Sequence, residues 1–187
     1  MRRIGLPAPG IGYDVVAAMT CDASGSCVAA LSGGTEENGT VAALSSGDGG
    51  RSWIMSATYS VGTEQQYWAS CGDAQDCVVG GNWGAIPLAW IRASAGKIGI
   101  RLQQVPRAAG TAISCATARD CFLVAGDTIE ATHDGGHSWT AAPTAPPAHG
   151  GEATLIDISC PVPTGCIGMA QLNGAGWAVV SDLQHGR

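Results

Sequence analysis

The chain has 187 residues, 45% of them hydrophobic and 13% charged, with a formal net charge of −6 at pH 7. That length supports one domain with a real core, and the acidic balance disfavours nucleic acid and anionic membrane surfaces as partners. The sequence has no uninterrupted apolar run of about 18 residues, which argues against a membrane-spanning helix.

No long stretch repeats its apolar residues at helical period. Short apolar runs broken by Gly, Asp-Gly and Pro predict an all-β fold of many short strands. The first seven residues, Met1 to Pro7, lack an apolar h-region, so no signal peptide is expected there.

The eight cysteines fall in four pairs, Cys21/Cys27, Cys71/Cys77, Cys115/Cys121 and Cys160/Cys166, each spaced C-x5-C. Zinc sites favour shorter spacings with His or further Cys nearby, and unrelated buried thiols would not repeat one spacing four times. The pattern predicts four disulfides and an oxidising compartment, so a secreted or periplasmic protein. From the first cysteine of one pair to that of the next the steps are 50, 44 and 45 residues. A period near 45 is that of propeller blades.

Each unit reads alike. A first strand ends at the first cysteine (Ala18-Met19-Thr20-Cys21, Trp68-Ala69-Ser70-Cys71, Ala112-Ile113-Ser114-Cys115, Asp157-Ile158-Ser159-Cys160). A five-residue polar turn follows, and a second strand starts at the second cysteine. Third strands are expected from Thr40, Leu88, Thr128 and Trp177, and fourth strands run toward Pro-containing connections such as Gln103 to Pro106 and Ala142 to Pro146. Blades are expected at about 13–59, 60–106, 107–147 and 148–187, the last completed by residues 1–9. A strand from the N-terminus would supply the fourth strand that the last unit lacks and close a ring of four four-stranded blades, a single domain with no free edges. The rival arrangements are two chains sharing one larger ring, or a chain cut from a longer repeat array.

Between third and fourth strands of unit one lies Ser46-Gly47-Asp48-Gly49-Gly50-Arg51-Ser52-Trp53, and in unit three Thr132-His133-Asp134-Gly135-Gly136-His137-Ser138-Trp139. Both read S/T-x-D-G-G-x-S-W. The glycines accept positive φ, the Asp can take turn N–H groups, and the Trp can cover the turn. In unit two the stretch has become Arg92 to Gly99, without Asp or Trp. The octapeptide resembles the Asp-box, or BNR repeat, of sialidase-like propellers, and the C-x5-C units resemble bacterial BNR-type repeat proteins. That resemblance implies that Ser46, Asp48, Gly50, Trp53, Thr132, Asp134, Gly136 and Trp139 form structural turns, on the side away from the binding face.

Box turns and cysteine turns reverse the chain at the same end of a blade. The other end then carries the loops from 33 to 39, 60 to 66, 80 to 87, 107 to 110, 143 to 152 and 171 to 175, where function is expected. Candidate ligand-binding residues there are Asn82 and Trp83, suited to stacking on a sugar or peptide side chain unless Trp83 covers its own blade, with Glu36, Glu64, Gln66, His149 and Asn173. Glu36 and Glu37 are adjacent, point opposite ways in extended structure and make a poor acid/base pair. His133 and His137 have metal-like spacing only on a helix, so no metal and no cofactor is expected. Asn38-Gly39-Thr40 is a formal glycosylation sequon.

Sialidases use an arginine triad and a Tyr nucleophile with a Glu partner. Here Arg51 and Arg119 fall in turns on the structural side, and Tyr13, Tyr59 and Tyr67 take no identifiable place. The expectation is a non-catalytic binding or assembly module with a glycan or protein ligand, monomeric or homodimeric. A sialidase-like hydrolase with a reduced site and a self-associating structural unit are the alternatives.

Overall fold

The structure is a computed structural model. It describes residues 15–35, 38–62, 67–73, 76–81, 87–94, 97–104, 110–126, 128–142, 153–172 and 175–182. The described residues are strands and turns with no helix, in four small antiparallel sheets. Among them, therefore, no helix is long and apolar enough to cross a membrane.

The first sheet is β1 (Val15–Cys21), β2 (Cys27–Thr35), β3 (Asn38–Ser46) and β4 (Ile54–Gly62). The second is β5 (Tyr67–Asp73), β6 (Asp76–Gly81), β7 (Pro87–Ser94) and β8 (Lys97–Gln104). The third is β9 (Gly110–Cys115), β10 (Cys121–Ala125), β11 (Thr128–Thr132) and β12 (Thr140–Ala142). The fourth holds β13 (Ala153–Val162), β14 (Gly165–Leu172) and β15 (Ala175–Asp182). Each is a meander, every strand paired with its sequence neighbour, as short connections require. The strand expected from residues 1–9 lies outside the described residues.

All four C-x5-C pairs are disulfides, with Cα separations of 4.0 to 4.1 Å. The register explains why that spacing works. Cys21, Cys71 and Cys115 stand directly opposite Cys27, Cys77 and Cys121 across the first hairpin of their sheets. One step further out, Asp22 N–H donates to the Ser26 carbonyl and Ala116 N–H to the Asp120 carbonyl, both at 2.9 Å. Bonded and non-bonded pairs alternate in an antiparallel ladder, so the cysteines occupy the close, non-bonded pair. In such a pair both Cβ atoms leave the same face and lie within reach of an S–S bond. Four disulfides are compatible with an extracellular or periplasmic protein.

The chain forms two compact units, Met1–Gln104 and Val105–Arg187. In the first unit Val28 and Ala30 of β2 and Val41 and Ala43 of β3 pack against Cys77 and Val79 of β6, with Ala69, Cys71 and Ile100 alongside. In the second unit Phe122 and Val124 of β10 and Ile129 and Ala131 of β11 pack against Ile158 and Cys160 of β13 and Cys166 and Ala170 of β14. The two interfaces use the same positions. The sheet ahead presents residues one and three places after its second cysteine. The sheet behind presents that cysteine and the residues two or four places on. Small side chains let the sheets approach, and strands buried on both faces read as continuous apolar runs. The first sheet's other face, Ala29, Leu31, Ala42 and Leu44, is buried too, with Trp53 and Met55 packed on it.

The strands run further than the sequence suggests. Gly33 and Gly34 pair in register with Thr40 and Gly39, and Thr35 with Asn38, which leaves a two-residue connection. Ser60 and Gly62 extend β4 by pairing with Thr40 and Gly39. In the altered box of unit two the strands run on until Ser94 opposes Lys97. In each place partner-strand pairing overrides the low strand propensity of Gly and Ser.

Two outcomes are expected in solution. Unfolded protein without reductant has no titratable thiol, as measured by a chromogenic thiol reagent. Reductive opening of any one ring lowers stability by about 2 kcal/mol, the chain-entropy value for a loop of about seven residues, read from urea unfolding before and after.

Candidate functional site

The two octapeptides fold as one structure. In the first, Asp48 Oδ1 accepts from the Ser46 hydroxyl at 2.8 Å and from the N–H groups of Arg51 and Ser52 at 2.9 and 2.8 Å. Its Oδ2 accepts from the Ser52 hydroxyl at 2.6 Å. The Ser46 oxygen in turn accepts from Gly50 N–H at 2.9 Å. In the second, Asp134 Oδ1 accepts from the Thr132 hydroxyl at 2.8 Å and Ser138 N–H at 2.9 Å, and Oδ2 from the Ser138 hydroxyl at 2.7 Å. Gly136 N–H donates to Thr132 Oγ1 at 2.8 Å.

The glycine pairs stand at φ of 70° and 78° in one box and 72° and 80° in the other. Two consecutive residues at positive φ explain why both are glycine. A side chain at Gly50 would also meet the Trp53 ring at 3.5 Å. Trp53 closes its turn by donating from Nε1 to the Gly50 carbonyl at 3.1 Å. The buried Nε1 of Trp139 has no partner, so the second box is held by its carboxylate network without that bond.

Each box turn is fastened to the disulfide-closed turn beside it. Gly49 N–H donates to the Gly25 carbonyl at 2.8 Å, and Gly135 N–H to the Arg119 carbonyl at 3.0 Å. The neighbouring turns are organised differently. In the first sheet Asp22 folds its own turn, with Oδ1 accepting from the Ser24 hydroxyl at 2.6 Å and from the N–H groups of Ser24 and Ser26. In the third sheet Asp120 accepts from the Thr117 hydroxyl at 2.6 Å and reaches across to Nδ1 of His133 at 2.8 Å. The His133 ring meets the Phe122 ring edge-on at 6.0 Å. His137 Nδ1 lies 2.7 Å from the Asp134 carbonyl oxygen.

These bonds set the electrostatics. The Ser52 hydroxyl, with the Ser52 N–H and the Ser46 hydroxyl, holds the Asp48 carboxyl well below the usual carboxylate range. Ser138 does the same for Asp134. The Ser24 hydroxyl lowers Asp22. Burial works to raise Asp120, but the Thr117 hydroxyl and His133 outweigh it and the group titrates below its ordinary value. Depressed carboxylates donate no proton near neutrality and make poor general acids or bases, whose pKa must lie near the working pH. Among the described residues no group of three His, Cys, Asp or Glu is placed to hold a metal ion.

The eight box positions are thus gathered into two turns, and the eight cysteines into four disulfides. Asn82, Trp83, Glu36, Glu64, Gln66, His149 and Asn173 all lie outside the described residues. Neither the cysteine spacing nor the box pattern marks Asp22, Gly25, Thr117 and Asp120. Their signal is present as Asp-x-Ser and Thr-x-x-Asp between paired cysteines, patterns that favour side-chain-closed turns. No protein-family model and no curated protein matches the chain.

Two predictions come from this geometry. Gly25 stands at φ 86°, and a Cβ there would lie 3.2 Å from the Gly49 nitrogen. Gly25→Ala is expected to lower stability by about 1–3 kcal/mol. Gly47→Ala, with nothing within 4 Å of the added carbon, changes it by less than about 0.5 kcal/mol; chemical denaturation of both variants checks the contrast. The second concerns pH. Asp48 and Asp134 have folded values well below their unfolded ones, so their contribution is intact above about pH 5 and is lost progressively as pH falls from about 4 toward the folded values. Melting temperature should therefore drop on acidification below about pH 4, and drop less steeply in the Asp48→Asn/Asp134→Asn double variant.

Proposed function

We propose that the four sheets are blades of a β-propeller of the sialidase-like, Asp-box class, and that the protein is a secreted or periplasmic non-catalytic binding or assembly module. Its ligand, a glycan or a protein, is held by the loops at the ends opposite the box turns. The observation that carries this reading is the engagement of both box carboxylates by their own turns. Asp48 takes its hydrogen bonds from Ser46, Arg51 and Ser52, and Asp134 from Thr132 and Ser138. Carboxylates so engaged brace a turn, and held ionised near neutrality they are poorly suited to general acid–base work.

The repetition supports the same conclusion. A catalytic group is needed once, whereas a turn brace recurs with the strand pair it joins. A rigid sheet that leaves its chemistry to loops is a common platform for recognition. Of the loop candidates, Trp83 beside Asn82 has the chemistry for stacking on a sugar face or a peptide side chain, with an amide alongside to fix orientation.

On a glycan array the wild type is expected to bind a defined subset of glycans and Trp83→Ala to lose at least about tenfold in affinity, the share of one aromatic anchor. No glycan binding by either protein, together with no protein captured by immobilised wild type, would remove the recognition reading. Turnover of a sialoside or aryl-glycoside panel would replace it with a hydrolase.

A further inference from the structure

The sequence contains two Asp-Gly bonds, Asp48-Gly49 and Asp134-Gly135, one in each box. This dipeptide has a reaction of its own. The amide nitrogen of the glycine attacks the side-chain carboxyl carbon of the aspartate. An N–Cγ bond forms, the carboxyl hydroxyl leaves with the amide proton as water, and a five-membered succinimide results. Water then adds at the main-chain carbonyl of that ring and breaks its bond to nitrogen. The chain now runs through the β-carboxyl, an isoaspartyl link, and the α-carboxyl is free. Glycine permits the attack because no Cβ hinders the approach to its nitrogen.

Both reacting groups are engaged elsewhere in this fold. Gly49 N–H donates to the Gly25 carbonyl at 2.8 Å, and Gly135 N–H to the Arg119 carbonyl at 3.0 Å. The carboxyls are tied three and four residues further on, Asp48 to Arg51 and Ser52 and Asp134 to Ser138. The same bonds, those of the Ser52 and Ser138 hydroxyls foremost, keep both groups ionised, and a carboxylate has no hydroxyl to release as water. Ring closure therefore requires the box turn to lift from the cystine turn and its carboxyl to leave its donors.

The acceptor carbonyls belong to turns that are braced independently of the boxes. Gly25 stands at φ 86° in the turn that Asp22 closes onto the N–H groups of Ser24 and Ser26. Arg119 lies in the turn closed by Thr117, whose Oγ1 accepts from the N–H groups of Arg119 and Asp120 at 3.1 and 3.0 Å. Each cystine turn can thus be loosened without altering the residues that react.

We infer that Asp48-Gly49 and Asp134-Gly135 are isoaspartyl modification sites, each kept silent by the docking of its box turn on the neighbouring cystine turn. The conversion cannot be undone by refolding. It adds the Cβ carbon to the backbone and moves the carboxylate onto Cα, away from the position in which Asp48 collects Ser46 and Ser52, and Asp134 collects Thr132 and Ser138. A box that opens long enough to react does not rebuild. The inference rests on the hydrogen bonds of the two turns and does not depend on the ligand reading above.

Incubation of the full chain at neutral pH and physiological temperature tests it, with the native protein beside the reduced and denatured one. Conversion at each bond is read as a peptide of unchanged mass that resists cleavage before aspartate and accepts a methyl group from an isoaspartyl methyltransferase. Deamidation at Asn38-Gly39 and Asn173-Gly174 changes the mass and is separated by it. Both native bonds are expected to convert at least about tenfold more slowly than in the denatured chain, as reactions that need local opening do. Two variants, each shown to be folded by circular dichroism and by the absence of free thiols, then separate the gates. Gly25→Ala is expected to speed conversion at Asp48 at least about threefold and to leave Asp134 at its native rate, and Thr117→Val to do the reverse; either variant decides the matter if the other does not fold. Native bonds that convert as fast as denatured ones, or folded variants that speed both bonds alike or neither, would overturn the inference.

Discussion

A sheet whose first and third turns lie at the same end must reverse the chain twice in adjacent space. In the first and third sheets one backbone hydrogen bond fixes how the reversals fit, from the first glycine of the box to a carbonyl of the disulfide-closed turn. The other local features serve that bond. The paired glycines take the positive φ that aims the N–H outward. The box carboxylate collects the turn's hydroxyl and N–H donors, so the loop has one shape. The cystine ties off the opposing turn at the last close pair of its ladder. Where the box is absent, in the second sheet, the strands run on until Ser94 opposes Lys97.

The faces of the sheets stay buried while their chemistry changes. On the face where the first sheet places Ala29 opposite Leu44, the third places Leu123 opposite Glu130. Leu44 and Glu130 each stand two residues before the box Ser46 or Thr132, and both are buried. The third sheet carries two large side chains where the first carries one small and one large, so the packing around the pair differs between the two sheets. The change also brings a carboxyl-bearing side chain into a layer that is aliphatic in the first sheet.

Much of the scaffold was legible in the sequence because its determinants are local. Cysteines six apart, glycine pairs and an Asp between hydroxyl residues act within one turn, and the repeat multiplied each signal. Strand ends were less legible. Gly33, Gly34 and Gly62 look like loop residues, and only the partner strand makes them extended. The Asp120–His133 pair spans two turns brought together by the sheet, so no sequence spacing announces it. Burial was least legible: β10 and β14 read as similar apolar runs, Cys121-Phe122-Leu123-Val124 and Cys166-Ile167-Gly168-Met169, yet one is buried on both faces and the other on one. Hydrophobicity states what a face can bury, and the neighbouring sheet decides whether it does.

That distinction separates the two kinds of conspicuous residue in this chain. Asp48, Asp134 and their serines attract notice as chemistry, but the repeat supplies each with a full set of partners inside its own turn. Ile167 and Met169 attract none, because their equivalents in the first and third sheets are ordinary core residues. A position whose demand is met in every copy tells of the scaffold. A position filled in three sheets is half exposed in the fourth, as with Val28, Val78, Phe122 and Ile167, so the repeat fixes the strand but not its surroundings. In a repeat protein the motif therefore tells of the turn it builds, and burial is settled copy by copy.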